Sequence, residues 1–344
     1  MTAVTAEPAP LRLDANEPAD SGLDLAALLA AAAGTMHRYP AAVAELTGAI
    51  AARHAVPAGR VLLGAGSADL IALAWRVFTG PGRPAAFGAP GFELYALLSR
   101  QAGLPAVTWP VGTPADVLPP AAPAQTDLAQ TAPAQTALPG APGLIAVSNP
   151  HNPTGARVPR AAVARLAGQL PAGTVLLNDE AYADYVEDDP GDITLAELSG
   201  RPNVITTRTF SKLYGLPALR VGYAVAEPAL IRRLAASRTP HMVSQLGALG
   251  ALQALRDDAA VAARRQRTAA CRGRLRDELL RRGFHVPDAC ANFLLARRDD
   301  GIDWAVRLAA RGVLVKAVGT AIRITVPAPA DLGRLLAAVD AVSP

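Results

Sequence analysis

Several polar residues of this sequence stand directly after short apolar runs, where side chains could do chemistry. The strand-like run Val204–Thr207 leads into a segment that contains Lys212, and Arg220 follows a few residues later. Burial in apolar surroundings lowers a lysine's pKa and makes the amine a nucleophile for carbonyl groups, although a lone lysine is more often a surface residue. Asp179 follows the apolar run Thr174–Leu177. A carboxylate there is costly unless a cation pairs with it; the alternative is that Asp179 caps the next helix.

Two loops carry groups that could hold a ligand. Gly64–Asp69 lets the backbone approach an anion, and amides at the start of the following helix can bind a phosphate. It lacks the third glycine of a dinucleotide fingerprint and the Gly-Lys-Ser/Thr of a triphosphate loop, so an ordinary tight turn explains it about as well. Ser148–Gly155 contains two Asn-Pro pairs, more than a plain turn needs. We interpret it as a functional loop in which His151 is a bystander.

Together these groups meet the needs of pyridoxal 5′-phosphate (PLP). The cofactor requires a lysine for its aldehyde, a carboxylate for its pyridinium nitrogen, and hydroxyls, an arginine and loop amides for its phosphate. From about Leu11 to the C-terminus the sequence resembles fold-type I, class I/II aminotransferases, nearest the histidinol-phosphate aminotransferase branch. The matching segments are Leu13–Glu17, Arg38–Pro40, Gly64–Asp69, Asn152–Gly155, Asp179–Tyr182, Thr209–Lys212, Gly215–Leu216, Leu219–Tyr223, Ala291–Phe293 and Ile322–Thr325. Their order and spacing make the resemblance specific.

The resemblance implies roles for the residues around the cofactor ring. Lys212 forms the Schiff base and then moves the proton between the substrate Cα and the cofactor C4′. Asp179 pairs with the protonated pyridine nitrogen. Asn152 and Tyr182 hydrogen-bond the phenolic oxygen of the ring, and Phe92 stacks on it.

The same resemblance implies residues for the phosphate and the substrate. The phosphate is held by the backbone amides of Ser67 and Ala68, the hydroxyls of Thr209 and Ser211, and the guanidinium of Arg220. Tyr39 reaches the phosphate of a neighbouring subunit, which implies a homodimer. The substrate residues are Arg323, Asn16 and Lys316, with Arg323 taking a carboxylate or a phosphate. No metal is implied.

Three positions depart from the branch, and they concern mainly the substrate. The segment Glu17–Asp20 has no tyrosine, Lys316 stands where the branch has an arginine, and Phe92 replaces a tyrosine. Lysine is not equivalent to arginine where an anion is bound through two parallel hydrogen bonds. The amino donor therefore stays open between an amino acid and a phosphorylated amino alcohol such as histidinol phosphate, with a 2-oxo acid as acceptor.

Several other functions compete with transamination. A decarboxylase of a phosphorylated amino acid, or an oxidase or cyclase of secondary metabolism, would use the same cofactor pocket. A ligand-sensing regulator would need a DNA-binding module ahead of the domain, and about ten residues precede Leu11. A dehydrogenase lacks its third glycine, and an inactive scaffold is disfavoured because each cofactor position carries a usable residue.

The elements that must position these residues alternate between strand and helix. Short, fully apolar runs such as Leu144–Val147 and Val204–Thr207 predict buried strands, and helical patterns such as Ala68–Phe78 separate them. This alternation predicts an α/β protein whose mostly parallel sheet is covered by helices on both faces. The remainder, which opens with one long helix over Ser244–Gly283, predicts a smaller α+β domain.

We predict three parts: an N-terminal arm (residues 1–35) that contributes to the small domain, a large PLP-binding domain (36–235) and a small C-terminal domain (236–344). Pro110–Pro142 is rich in Ala, Pro, Gln and Thr and repeats a pentapeptide at Ala122–Thr126 and Ala132–Thr136. Such a composition buries little surface, so we expect an exposed loop inserted in the large domain.

Composition excludes several classes of protein. The chain has 344 residues, 51% of them hydrophobic, and a net charge of +4. Eight arginines between Arg264 and Arg282 have no interleaved aromatic residue, which favours a solvated helix face over a nucleic-acid site. The apolar run Leu25–Ala33 is far shorter than the ~20 residues that span a bilayer. Cys271 and Cys290 have neither disulfide-scaffold nor metal-site spacing, and a cytoplasmic location is expected.

Overall fold

A computed structural model of the protein describes residues 9–119, 141–186 and 193–343. The strands are β1 (Leu11–Leu13), β2 (Val61–Gly64), β3 (Ala85–Ala89), β4 (Ala106–Pro110), β5 (Leu144–Ser148), β6 (Val175–Asp179), β7 (Val204–Thr209), β8 (Gly222–Ala226), β9 (Phe293–Arg297), β10 (Val313–Val318) and β11 (Ala321–Thr325). The α-helices are α1 (Leu25–Ala33), α2 (Ala42–Arg53), α3 (Ser67–Phe78), α4 (Glu93–Gln101), α5 (Arg160–Gln169), α6 (Leu195–Ser199), α7 (Pro228–Ala236), α8 (Gln245–Arg256), α9 (Asp258–Arg281), α10 (Trp304–Ala309) and α11 (Leu332–Val342).

Seven strands form one sheet in the order β2-β8-β7-β6-β5-β3-β4. The five from β7 to β4 are parallel, and β8 runs antiparallel to both of its neighbours. The predicted mostly parallel sheet is confirmed. Since β5, β6 and β7 are parallel neighbours, their carboxyl ends lie at the same edge of the sheet.

Helices cover both faces of this sheet, because the strands carry apolar side chains on both sides. In β6, Leu177 packs in one cluster with Ile71 of α3, whereas its neighbour Leu176 packs in another with Val163 of α5. Alternate residues of a strand point to opposite faces, so a continuous apolar run serves two layers. Burial of each such side chain contributes about 1.5–3 kcal/mol to stability.

The second sheet has four strands in the order β1-β10-β11-β9. Its first strand comes from the start of the described chain: β1 runs parallel to β10, with Leu11 opposite Val313. The other two pairings are antiparallel. The predicted α+β part is therefore present, with residues 11–13 in its sheet, while the domain boundaries at residues 35 and 235 stay a prediction.

The prediction of one long helix over Ser244–Gly283 is wrong, because the helix is interrupted at Asp257, between α8 and α9. Asp257 leaves the helical conformation with φ −109° and ψ 68°, and its side chain accepts a hydrogen bond from the Ala260 amide. An aspartate in this role satisfies a free amide at a helix start. The solvated face predicted for the arginines of this segment is wrong at Arg264, which is buried at 7% exposure.

The predicted exposed loop over Pro110–Pro142 is wrong at its start. Val111 and Val117 are buried against the sheet, and Trp109 Nε1 donates to the Asp116 carbonyl. A short 3₁₀ helix, Pro114–Val117, begins with Thr113 as its cap. Both copies of the repeated pentapeptide lie outside the described residues.

Candidate active site

A cavity of about 200 Å³ opens at the edge where β5, β6 and β7 end. It is lined by Ala15, Asn16, Ser67, Ala68, Phe92, Ser148, Asn152, Asp179, Ala181, Tyr182, Thr209, Ser211, Lys212, Arg220 and Arg323. Apart from Tyr39 and Lys316, every residue predicted to contact cofactor or substrate is among them. The structure thus brings together residues from the start, middle and end of the chain.

Lys212 reaches this cavity from the loop that follows β7. Its Nζ donates to the carbonyl oxygens of Asn16 at 3.0 Å and Ala15 at 3.3 Å. Burial, reinforced by the positive charge of Arg323, lowers the pKa of Lys212 to about 8. On the order of a tenth of the amine is then neutral at pH 7, which suits a nucleophile.

Asp179 is the last residue of β6 and is 2% exposed. Tyr95 donates its hydroxyl to Oδ2 at 3.1 Å, and the Thr207 hydroxyl and the Ala181 amide donate to Oδ1, each at 3.2 Å. Burial raises the pKa of Asp179 to about 6, against these hydrogen bonds, which act to lower it. The alternative that Asp179 caps the next helix is wrong, because the following 3₁₀ turn, Ala183–Tyr185, has Tyr182 at its cap position and no side-chain capping bond. The three donors are neutral, so a cation in the cavity would stabilise the carboxylate further.

The loop after β2 forms an anion cradle with the segment after β7. Gly66 has φ +84°, and α3 begins with Ser67 and Ala68, which both line the cavity. The first amides of a helix lack intrahelical partners and can bind an anion. Arg220 donates to the Ser211 hydroxyl at 3.2 Å and to the Ala65 carbonyl at 3.2 Å. A Cβ on Gly222 would clash with the Ser67 amide, so the backbone approach here depends on glycine. Amides, hydroxyls and a guanidinium therefore converge as a phosphate requires.

Asn16 connects the N-terminal segment to the cavity. It is 1% exposed with φ +54°, and its Nδ2 donates to the Tyr182 hydroxyl at 2.9 Å. Its backbone amide donates to Thr325 Oγ1 at 3.0 Å. Burial raises the pKa of Tyr182 to about 12, so the phenol keeps its proton at neutral pH. Because Tyr182 accepts from Asn16, its own hydroxyl proton is free to be donated into the cavity.

Arg323 lies on β11 and faces the same cavity. Nη1 donates to Asn152 Oδ1 at 2.7 Å and Nη2 to the Asp14 carbonyl at 2.5 Å. Within the described residues Nε is buried and has no hydrogen-bond partner. A buried donor without a partner is costly, and an anionic substrate group would satisfy it. With Oδ1 occupied, Asn152 keeps its Nδ2 hydrogens to donate elsewhere.

Two predicted site residues lie outside the cavity lining. Tyr39 is 78% exposed, and its ring stacks on His241 at a centroid distance of 4.2 Å. Lys316 on β10 forms an ion pair with Glu93 at 2.8 Å. His151, predicted to be a bystander, is buried, which lowers its pKa to about 4, and its Nδ1 lies 2.9 Å from the Thr154 hydroxyl.

A buried charge network behind the site was not predicted. Glu180, 1% exposed, accepts from Arg160 Nε at 2.6 Å and from Arg208 Nη2 at 2.7 Å, and Arg208 also pairs with Asp184. Burial acts to raise the pKa of Glu180, but the two arginines outweigh it and lower the pKa to about 2. In the sequence, the adjacent carboxylates Asp179 and Glu180 are the only signal for this network. The contact of Tyr95 with Asp179 has no sequence signal, since 84 residues separate the two.

Lysine is scarce in the whole chain. Of 33 basic residues only two are lysines, Lys212 and Lys316. This count sharpens the assignment of the amine nucleophile, because the other lysine is paired with Glu93 and does not line the cavity.

Comparisons with known proteins agree with this geometry. The family model "Aminotransferase class I and II" matches residues 9–342. Histidinol-phosphate aminotransferase of Ruegeria sp. (strain TM1040) is 37% identical over 308 residues, which cover 87% of this chain and 81% of the relative. Aromatic amino acid aminotransferase of Thermobifida fusca is 33% identical over 306 residues, 88% of this chain and 82% of the relative. The crystal structure of histidinol-phosphate aminotransferase from Sinorhizobium meliloti in complex with pyridoxal-5′-phosphate matches with a TM-score of 0.82 over 96% of this chain and 90% of that chain, at 24% identity.

The chain belongs to the aminotransferase class I and II family. It is a PLP-dependent aminotransferase with the type I fold of that family. The cavity fits the cofactor on three counts: among the described residues the hydrogen-bond partners of the buried Asp179 carboxylate are all neutral, the anion cradle combines amides, hydroxyls and a guanidinium, and the Lys212 amine has a lowered pKa. The comparisons favour transamination over the decarboxylase and oxidase alternatives.

One further sequence expectation concerns membranes. Within the three described ranges, no helix combines the length and apolar character needed to cross a bilayer.

Proposed function

We propose that this aminotransferase uses Lys212 as its nucleophile and proton carrier, and that Arg323 binds an anionic group of the amino donor and of the 2-oxo acid acceptor. PLP, when bound, supplies an aldehyde that condenses with amines and a ring that accepts the electron pair released at the donor Cα. The observation that carries the proposal is the position of the Lys212 amine, which shares one cavity with Asp179 and Arg323.

Lys212 would act twice. Its neutral amine would hold the cofactor through the aldehyde. When it is not attached, its Nζ, which donates to the carbonyl oxygens of Ala15 and Asn16, would take the proton from the donor Cα as a general base. A pKa near 8 suits this step, because it lies close to the working pH.

The other residues would bind and orient. Asp179 would hold the proton of the pyridine nitrogen, and Tyr182 and Asn152 would donate to the phenolic oxygen. Phe92 lies at the cavity wall, where it would stack on the ring. The amides of Ser67 and Ala68, the hydroxyls of Thr209 and Ser211, and Arg220 would hold the phosphate.

The proposed donor carries one anionic group. Arg220 is bonded within the phosphate cradle, whereas Arg323 is bonded to Asn152 and to the arm and keeps Nε for a ligand. A carboxylate or a phosphate monoester would satisfy this group. Two donors should therefore be compared: an α-amino acid, as the relatives named aromatic amino acid aminotransferase suggest, and histidinol phosphate.

Absorbance of the PLP-loaded protein tests the proposal. The visible band should bleach on addition of a primary amine that carries a carboxylate or phosphate, and it should return when a 2-oxo acid is added. Arg323→Gln should raise the donor concentration needed for half bleaching by at least tenfold, since charge-assisted hydrogen bonds contribute about 1.5–3 kcal/mol. Bleaching by neutral amines as readily as by anionic ones would contradict the role of Arg323.

We also propose a cytoplasmic homodimer in which Tyr39 completes the neighbouring site. The exposed Tyr39 ring and the exposed Met36 and Met242 side chains support this, since a free apolar surface of this kind favours contact with another chain. The test mixes inactive Tyr39→Ala and Lys212→Ala chains. Reassembled dimers should regain up to one intact site each, and no recovery despite proven subunit exchange would contradict a shared site.

A further inference from the structure

Lys316 and Glu93 do not line the cavity, but each is next to a residue that does. Lys316 is on β10, directly opposite Arg323 on β11 in the strand register. Glu93 is the first residue of α4 and follows Phe92, which lines the cavity together with Arg323. The ion pair between Lys316 Nζ and Glu93 Oε1, at 2.8 Å, therefore joins the four-stranded sheet to a helix of the larger layer.

Glu93 acts on both cations at this position. Besides its direct contact with Lys316, its negative charge raises the pKa of Arg323 against the larger, lowering effect of burial. Arg323 is partnered by Asn152 and by a backbone carbonyl, and neither carries a charge. Asp14 and Glu93 are therefore the two carboxylates whose charge acts on Arg323, and of these two Glu93 is the one that also pairs with Lys316.

We propose that Glu93 is a specificity residue that disfavours substrates with a second negative charge. This rests on the proposed role of Arg323 as the site of the first anion. By occupying Lys316, Glu93 removes the second cation that a distal carboxylate or a doubly charged phosphate would need. By its own charge it repels the same group. The substrate class favoured is then a donor with a single negative charge, such as an α-amino acid with an uncharged side chain.

The expected effect is moderate, because the pair is partly solvated. Lys316 is 40% and Glu93 71% exposed at the side chain. Exposed ion pairs contribute up to about 1 kcal/mol, so neutralising Glu93 should change relative binding by about two- to fivefold. The change should shrink in concentrated salt, since the screening length falls from about 10 Å at 0.1 M to about 3 Å at 1 M.

Binding of succinate and of butyrate to the PLP-loaded protein tests the proposal without turnover. The two ligands have the same chain length and differ in one carboxylate. Titration calorimetry at low ionic strength should show that Glu93→Gln raises the preference for succinate over butyrate about two- to fivefold. Glu93→Gln combined with Lys316→Gln should return the preference to the wild-type value. Glu45→Gln, which removes the carboxylate of an exposed ion pair with Arg256, should leave it unchanged.

Three results would overturn the inference: an unchanged or lowered succinate preference in Glu93→Gln, a raised preference that persists in the double variant, or the same rise in Glu45→Gln. If neither carboxylate binds to the wild type or to Glu93→Gln, Arg323 is not the anion site and this inference fails with it. The donor-bleaching experiment tests the proposed function independently of this inference, because it needs a donor with only one anionic group and no substitution at Glu93.

Discussion

Replacing Glu180 by glutamine should destabilise the protein strongly although this residue does not line the cavity. Arg160 and Arg208 both bind its carboxylate, and together they lower its pKa from 4.5 to about 2. At about 1.4 kcal/mol for each pH unit, that difference corresponds to about 3 kcal/mol of folding stability. Loss of one partner from a buried ion pair costs about 3–5 kcal/mol by an independent route.

The sign of the pH dependence follows from the lowered pKa. The Glu180 contribution is complete above about pH 4.5, the ordinary value, and disappears as the pH falls towards 2. The gap in unfolding free energy between wild type and Glu180→Gln, from urea midpoints, should therefore be about 3 kcal/mol at pH 7. It should narrow by more than half at pH 3.

A matched control is available at Glu45. Its ion pair with Arg256 is exposed, so Glu45→Gln should cost no more than about 0.5 kcal/mol at any pH. A cost below about 1 kcal/mol for Glu180→Gln at pH 7, or a gap that stays constant between pH 5 and pH 3, would refute the reasoning. If Glu180→Gln does not fold, Glu180→Asp keeps the charge and lengthens the contacts, and its loss of stability at pH 7 then measures how much the buried pairing with Arg160 and Arg208 depends on distance.

Three further variants test the site and the segments around it. Gly222→Ala should weaken PLP binding at least about tenfold in a fluorescence titration, because its Cβ would displace the start of α3. The control Gly273→Ala, in open space on α9, should add about 0.5–1 kcal/mol of helix stability. Equal PLP affinity in the two variants would contradict the proposed phosphate cradle. Tyr95→Phe removes a donor from Asp179, so the carboxylate pKa should rise and the acidic limb of the kcat profile should move to higher pH; an unmoved limb would contradict that contact. Arg264→Met removes hydrogen bonds to Asp20 and to the carbonyl of Leu213, the residue after Lys212, and thermal unfolding should begin about 4 °C or more below wild type.

The positions of the site residues on the strands could be predicted, since the signal is local. An apolar run of four or five residues followed by polar groups fixes the end of a buried strand, as at Asp179 and Lys212. Parallel neighbours then bring such ends to one edge. The resemblance to class I/II aminotransferases implied the rest, including Arg323.

The contacts between distant segments could not be predicted, because composition does not determine which charges meet. Arg264 stands in the same arginine-rich segment as the exposed arginines of α9. It is nevertheless buried and bonded to Asp20, 244 positions away. The ion pair of Lys316 with Glu93 likewise has no signal in the sequence, and the substrate role of Lys316 stays a prediction. The three-residue strand β1 is too short for a periodic signal and exists through its pairing with β10.

The central claim is that PLP attaches to Lys212, and the lysine content of the chain makes this directly measurable. Reduction of the loaded protein with borohydride, followed by peptide mass spectrometry, has only two lysine side chains to distinguish. The account predicts the pyridoxyl group on Lys212 and none on Lys316, with the adduct lost in Lys212→Ala and kept in Lys316→Gln. A pyridoxyl group on Lys316, or an adduct that persists in Lys212→Ala, would contradict the assignment of the active site.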